Sequence, residues 1–140
     1  MEVQSKVISQ VSGFITRTIN AQPDAIAPDG SEVRLLATAA RGSMAHFMLP
    51  PGKISKAVAH KTVEEVWYFV AGQGRMWRRL GGAEEVIEIN PGVSISIPVG
   101  AHFQFRCDGD VALEAIGVTM PPWPGMAEAF EVAGIWPGSA

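Results

Sequence analysis

Pro51-Gly52-Lys53-Ile54-Ser55-Lys56-Ala57-Val58-Ala59-His60-Lys61-Thr62-Val63-Glu64-Glu65-Val66-Trp67-Tyr68-Phe69-Val70-Ala71-Gly72 is the stretch that decides the fold. Turn residues close it at both ends, and side chains of a strand alternate faces. Val58 and His60 therefore point the same way, and Glu65 on the next strand can meet them across the sheet. Imidazole nitrogen and carboxylate oxygen together suit zinc, iron, manganese or nickel, and three such ligands leave one position open for substrate. Val58 has no lone pair, so the donors shrink to His60 and Glu65. Two protein ligands hold a divalent ion weakly. Either a further group completes the set or there is no metal.

The two adjacent acids separate by alternation. Glu65 shares a face with Trp67 and Phe69, whereas Glu64 joins Val66, Tyr68 and Val70. A carboxylate among Trp and Phe side chains is costly unless paired, so its pKa rises or a cation sits beside it. The bland alternatives are a Glu65 ion pair with Arg75 or Arg78 and an interior His60 hydrogen-bonded to Glu65.

The spacing resembles the first motif of the cupin family: Gly, five residues, His, one residue, His, three or four residues, Glu, six residues, Gly. Gly52, His60, Glu65 and Gly72 fall on it, with Val58 in the place of the first His. The second motif is Gly, five residues, Pro, one residue, Gly, two residues, His, three residues, Asn. Gly92, Pro98 and Gly100 match, while Phe103 and Cys107 replace His and Asn. His102 stands one position early. The resemblance implies a divalent metal on His60 and Glu65 with His102 as third ligand, in a pocket shared with Val58, Trp67, Phe69, Phe103 and Cys107. A one-residue offset in an extended segment turns a side chain to the opposite face, so His102 reaches the pair only if Pro98-Val99-Gly100-Ala101 bends or bulges. The alternative is a cavity without metal, with His60 as general base and Glu65 setting its tautomer and pKa. His46 lies in a stretch apolar on both faces and reads first as a packed strand residue. Cys107 reads as a small buried hydrophobe.

From Val33 onward, short runs rich in Val, Ile, Phe and Trp are broken by Gly and Pro at about ten-residue spacing, which marks an all-β chain. Strands are expected near 33–39, 43–49, 56–60, 64–71, 74–80, 84–89, 93–98, 102–107 and 111–119, closing as a jelly-roll barrel. The layout is a 1–32 N-terminal arm and strand, a 33–119 barrel, and a 120–140 segment packing irregularly on it. In the arm, Val3, Val7, Val11, Phe14 and Ile15 fit a helical stripe, but a strand from about 13 to 19, added to the barrel or to a partner subunit, is favoured by its β-branched residues. Ala25 to Ser31 reads as a loop. Trp123 and Trp136 read as cover for a sheet face or subunit contact before a lid over the barrel mouth.

The chain has 140 residues, 47% of them hydrophobic, and a net charge of −3. One domain with a sizeable core follows. There is no basic footprint for nucleic acid, and no apolar run of membrane-spanning length. A single cysteine allows no internal disulfide, and Met1-Glu2-Val3-Gln4-Ser5 lacks the charged and apolar regions of an export signal, so the expected location is cytoplasmic. The apolar outer residues Val66, Tyr68 and Val70 favour a homodimer. The first functional reading is an enzyme acting on a small polar organic substrate in the barrel, where the resemblance implies oxygenase, isomerase, epimerase or lyase chemistry. The second is a non-catalytic ligand-binding or sensing barrel, favoured by Val58 and Phe103.

Overall fold

Alternating apolar and polar residues between turn signals produce strands along almost the whole chain. The computed structural model describes residues 6–11 and 13–140, with side chains from residue 13 onward. The expectation for Met1–Ser5 and the Val3 end of the helical stripe lie outside the described residues. The strands are β1 Lys6–Val11, β2 Phe14–Thr18, β3 Ala25–Ile26, β4 Glu32–Ala39, β5 Gly42–Leu49, β6 Val58–His60 and β7 Glu64–Ala71. They continue as β8 Gly74–Leu80, β9 Ala83–Ile89, β10 Ser94–Ile97, β11 His102–Cys107, β12 Leu113–Met120 and β13 Ala129–Glu131. One sheet runs β10-β7-β12-β5-β4-β3 and the other β13-β6-β11-β8-β9, all antiparallel. No described helix is long and apolar enough to cross a membrane.

The structure departs from the sequence expectations at both ends. β2 forms where a strand was expected, but it pairs with β1 in a two-stranded ribbon of its own. The stretch read as a loop at Ala25 begins with β3, which pairs Ala25 with Val33. Past β12 a single 3-10 turn, Met126–Glu128, leads into β13, which extends the second sheet beside β6.

Strand β7 positions the site. Its burial alternates strictly: Glu65, Trp67 and Phe69 are buried while Glu64, Val66, Tyr68 and Val70 face out. Across the sheet, β12 sets Ala115 opposite Phe69, Gly117 opposite Trp67 and Thr119 opposite Glu65. Small residues opposite large rings leave room for them, and a hydroxyl meets the carboxyl. Trp67 anchors an aromatic cluster, stacked on Phe47 at 4.8 Å and edge-on to Phe103 and Phe105 at 5.9 and 5.3 Å. Fully burying such a ring contributes roughly 1.5–3 kcal/mol, so this cluster is a principal anchor between the sheets.

Gln104 helps to fasten the C-terminal chain, alongside the β13–β6 pairing and the Ser139 and Ala140 amides bonded to the Ile54 carbonyl. Gln104 is buried on β11; its amide donates to the carbonyls of Ser55 and Trp136 at 2.8 and 2.9 Å, and its oxygen accepts from the amides of Ile135 and Trp136 at 3.0 and 3.1 Å. Trp136 in turn stacks on the Arg106 guanidinium at 4.8 Å. Gln104→Ala strands backbone groups at a buried junction, and is expected to cost about 2 kcal/mol in urea unfolding. A variant that unfolds like the parent would show that the tail is held elsewhere.

Candidate functional site

A cavity of about 560 Å³ opens inside the barrel, lined from both sheets. Val33, Leu35, Ala45, Phe47, Trp67, Val58 and Phe103 make its walls apolar, and Pro122, Trp123 and Met126 border it from the segment after β12. Its polar groups are few: His60, Glu65, Thr119, Asp29, Arg17, Ser43 and Thr38.

His60 comes from β6, whose end is held by Glu128. That carboxylate accepts from the Thr62 amide at 2.6 Å, the Val63 amide at 3.2 Å and the Thr62 hydroxyl. The imidazole packs edge-on against Phe103 and Trp123, both at 5.3 Å between centroids. Glu65 accepts from Trp67 Nε1 at 3.2 Å on Oε1 and from the Thr119 hydroxyl on Oε2. His60 Nδ1 lies 3.8 Å from Glu65 Oε1, too far for a hydrogen bond, and is buried without a partner among the described residues. His60 and Glu65 are only 4% and 3% exposed.

Burial inverts the usual protonation of this pair. Desolvation pushes the His60 pKa down to about 4, against a weaker upward pull from Glu128. Desolvation pushes Glu65 up to about 7, although the bonds from Thr119 and Trp67 draw it back and the charge of Asp29 adds to the rise. The imidazole is therefore neutral across the physiological range, while the carboxyl still holds its proton in mild acid. Asp29 is also buried; desolvation raises its pKa, against the Ser31 hydroxyl and amide that bond Oδ1 at 2.6 and 2.8 Å.

The donor set does not fit a metal ion. Val58 and Phe103, which occupy the motif's two remaining histidine positions, are direct cross-strand partners and form an apolar contact instead. Among the described residues no three His, Cys, Asp or Glu side chains gather closely enough to hold an ion.

Of the residues singled out in the sequence, Val58, His60, Glu65, Trp67 and Phe103 line the cavity together. Phe69 and Cys107 share the inward face but sit deeper, in the packed core; the Cys107 thiol bonds the Val111 carbonyl at 3.1 Å. The structure does not bring His102 to the pair. β11 pairs with β8 without a bulge from His102 opposite Arg79 to Cys107 opposite Gly74, so with Phe103 inward His102 faces away. Neither Arg75 nor Arg78 reaches Glu65; Arg78 pairs with Glu85. His46 turns away from the cavity and bonds Glu114 at 2.7 Å. Trp123 borders the mouth, and Trp136 covers the second sheet. Sequence reasoning missed Arg17, Asp29, Thr119 and Glu128. Asp29 alone carried a local signal, since Asp-Gly-Ser is the pattern in which an Asp oxygen caps an amide two residues on.

Two antiparallel sheets closed around such a cavity define a jelly-roll barrel. Residues 45–119 match the family model described as Cupin domain, more than half of the 140-residue chain. The chain belongs to the cupin family, as a small single-domain member. No curated protein matches it. Among solved structures it is similar to BH2720 of Bacillus halodurans, at 19% identity over 66% of this chain and 72% of that one, with a TM-score of 0.60. It is similar to TT1209 of Thermus thermophilus at 22% identity, over 70% of this chain and 90% of that one, with a TM-score of 0.54. Oxalate decarboxylase of Bacillus subtilis, a protein with Mn(II) centres, aligns at 15% identity over 79% of this chain and a TM-score of 0.66, with only 30% of its own length spanned. Identities this low carry fold, not activity.

Proposed function

We propose that this cupin binds a small organic molecule in the barrel cavity and performs proton transfer on it without a metal. The observation that carries this reading is a neutral imidazole and a protonatable carboxyl 3.8 Å apart, both lining one apolar cavity. Two titratable groups whose surroundings push their pKa values in opposite directions are matched as base and acid. His60 accepts a proton from carbon or hydroxyl, and Glu65 donates to an oxygen of the same molecule. The apolar walls exclude water, which sustains both shifts. The Mn(II) centres of oxalate decarboxylase keep a divalent ion, whether zinc, iron, manganese or nickel, as the comparison case; the donors here argue against it.

A panel of small ketones with aromatic or branched bodies, incubated in D2O and followed by NMR, tests the proposal. Deuterium should enter the carbon beside the carbonyl, with a bell-shaped pH profile bounded by about 4 and about 7. His60→Asn and Glu65→Gln should each slow exchange by about a hundredfold. Compounds that bind yet exchange no faster than in buffer at any pH would instead support a non-catalytic binding protein, the reading that the apolar Val58–Phe103 contact favours.

A further inference from the structure

Among the described residues the cavity is lined by one cationic side chain, and that cation has no counter-ion. Arg17, on β2, is the only Lys or Arg among the lining residues. Its Nε is buried without a hydrogen-bond partner, and it enters no ion pair among the described residues. A guanidinium cannot shed its proton to escape this, so an orphaned N–H at a cavity wall is a standing cost that an oxygen acceptor removes. The acids in the same cavity do not fill that role. Asp29 is engaged by Ser31, and both oxygens of Glu65 by Trp67 and Thr119. The second orphaned nitrogen in the cavity is His60 Nδ1. Phe47, Trp67 and Val33 line the same cavity.

We infer that the ligand is a small organic acid: an apolar or aromatic body whose carboxylate pairs with Arg17 while its other end meets His60 and Glu65. This rests on the proposed cavity function and names its substrate class. A planar carboxylate matches the guanidinium fork, and a pairing shielded from water gains strength from the low dielectric. Burial that favours the neutral forms of Asp29 and Glu65 also limits their repulsion of an incoming anion.

Benzoate and cinnamate, each paired with its neutral amide, are suitable probes, with Trp67 and Trp123 fluorescence and calorimetry as readouts. Each acid should bind about tenfold more tightly than its amide. Arg17→Met, checked by circular dichroism to be folded, should erase that preference, and Arg17→Lys should restore part of it. Equal affinity of acid and amide for the parent protein, or a preference surviving in Arg17→Met, overturns the role of Arg17 and leaves the cavity reading standing. Amide binding that responds to Glu65→Gln confirms that reading separately. If no probe binds, both fall together.

Discussion

Glu65→Gln is expected to change the shape of the stability–pH curve, not only its height. In the native protein Glu65 keeps its proton up to about 7, whereas the unfolded chain releases it near 4.5. Between those values the native state holds more protons than the unfolded state, so the Glu65 contribution falls as pH rises. His60 acts in the opposite sense. Unfolded, it takes up a proton near 6.5; native, only near 4, so its contribution grows as pH rises through that window. Each displacement is roughly 2.5 on the pH scale, or about 3 kcal/mol at 1.36 kcal/mol per pH unit. The two slopes nearly cancel, and the parent protein should be close to flat in this region as far as this pair is concerned. Without the Glu65 titration, the variant should gain about 3 kcal/mol between pH 4 and 6.5 and remain above the parent at pH 8. Urea unfolding at a series of pH values measures this directly. A variant whose curve runs parallel to the parent's from pH 4 to 8 would show that Glu65 ionises as an ordinary carboxyl.

A large, purely structural effect is expected at Gly72. Its φ is +84°, and a Cβ there would stand 2.4 Å from the Ala112 carbonyl oxygen and 2.8 Å from the Leu113 Cα. Both obstacles are backbone, so neither gives way without disturbing the start of β12. Gly72→Ala should destabilise by 3 kcal/mol or more, on the order of the severe backbone class. Gly52, at the other end of the same motif, has a φ of +76° but open space around its missing side chain. Gly52→Ala should therefore lose only about 1 kcal/mol, the conformational cost alone. Equal losses at the two positions would contradict the claim that crowding separates them.

The same contrast explains how far the sequence could be read. Alternation assigns faces, and it sorted Glu65, Trp67 and Phe69 from Glu64, Val66 and Tyr68 without error. It does not assign depth: Phe69 and Cys107 share the inward side with Trp67 and Phe103 yet lie beyond the cavity, in the core. The offset of His102 was visible too, and its outcome turned on whether β11 carries a bulge, which depends on its pairing with β8 rather than on any local residue. Arg17, Asp29 and Trp123 were harder still. Each lies in a ribbon, turn or irregular segment whose position comes from contacts with distant chain, such as the Lys56 amide bonded to the Asp29 carbonyl at 2.8 Å. The barrel scaffold was written in local periodicity, and the cavity's charged rim was written in long-range packing.

The way the two sheets end bears on how the protein behaves in a crowded solution. An unpaired strand rim invites a neighbouring chain to add on and start an aggregate. Here the first sheet ends in β10 and β3, of four and two residues, and the second in β13, of three. The longer rim of these two sheets, β9, carries Glu84, Glu85 and Glu88. Short or acid-studded rims offer few contiguous backbone groups to a stranger, so these two sheets give little purchase for edge-to-edge growth.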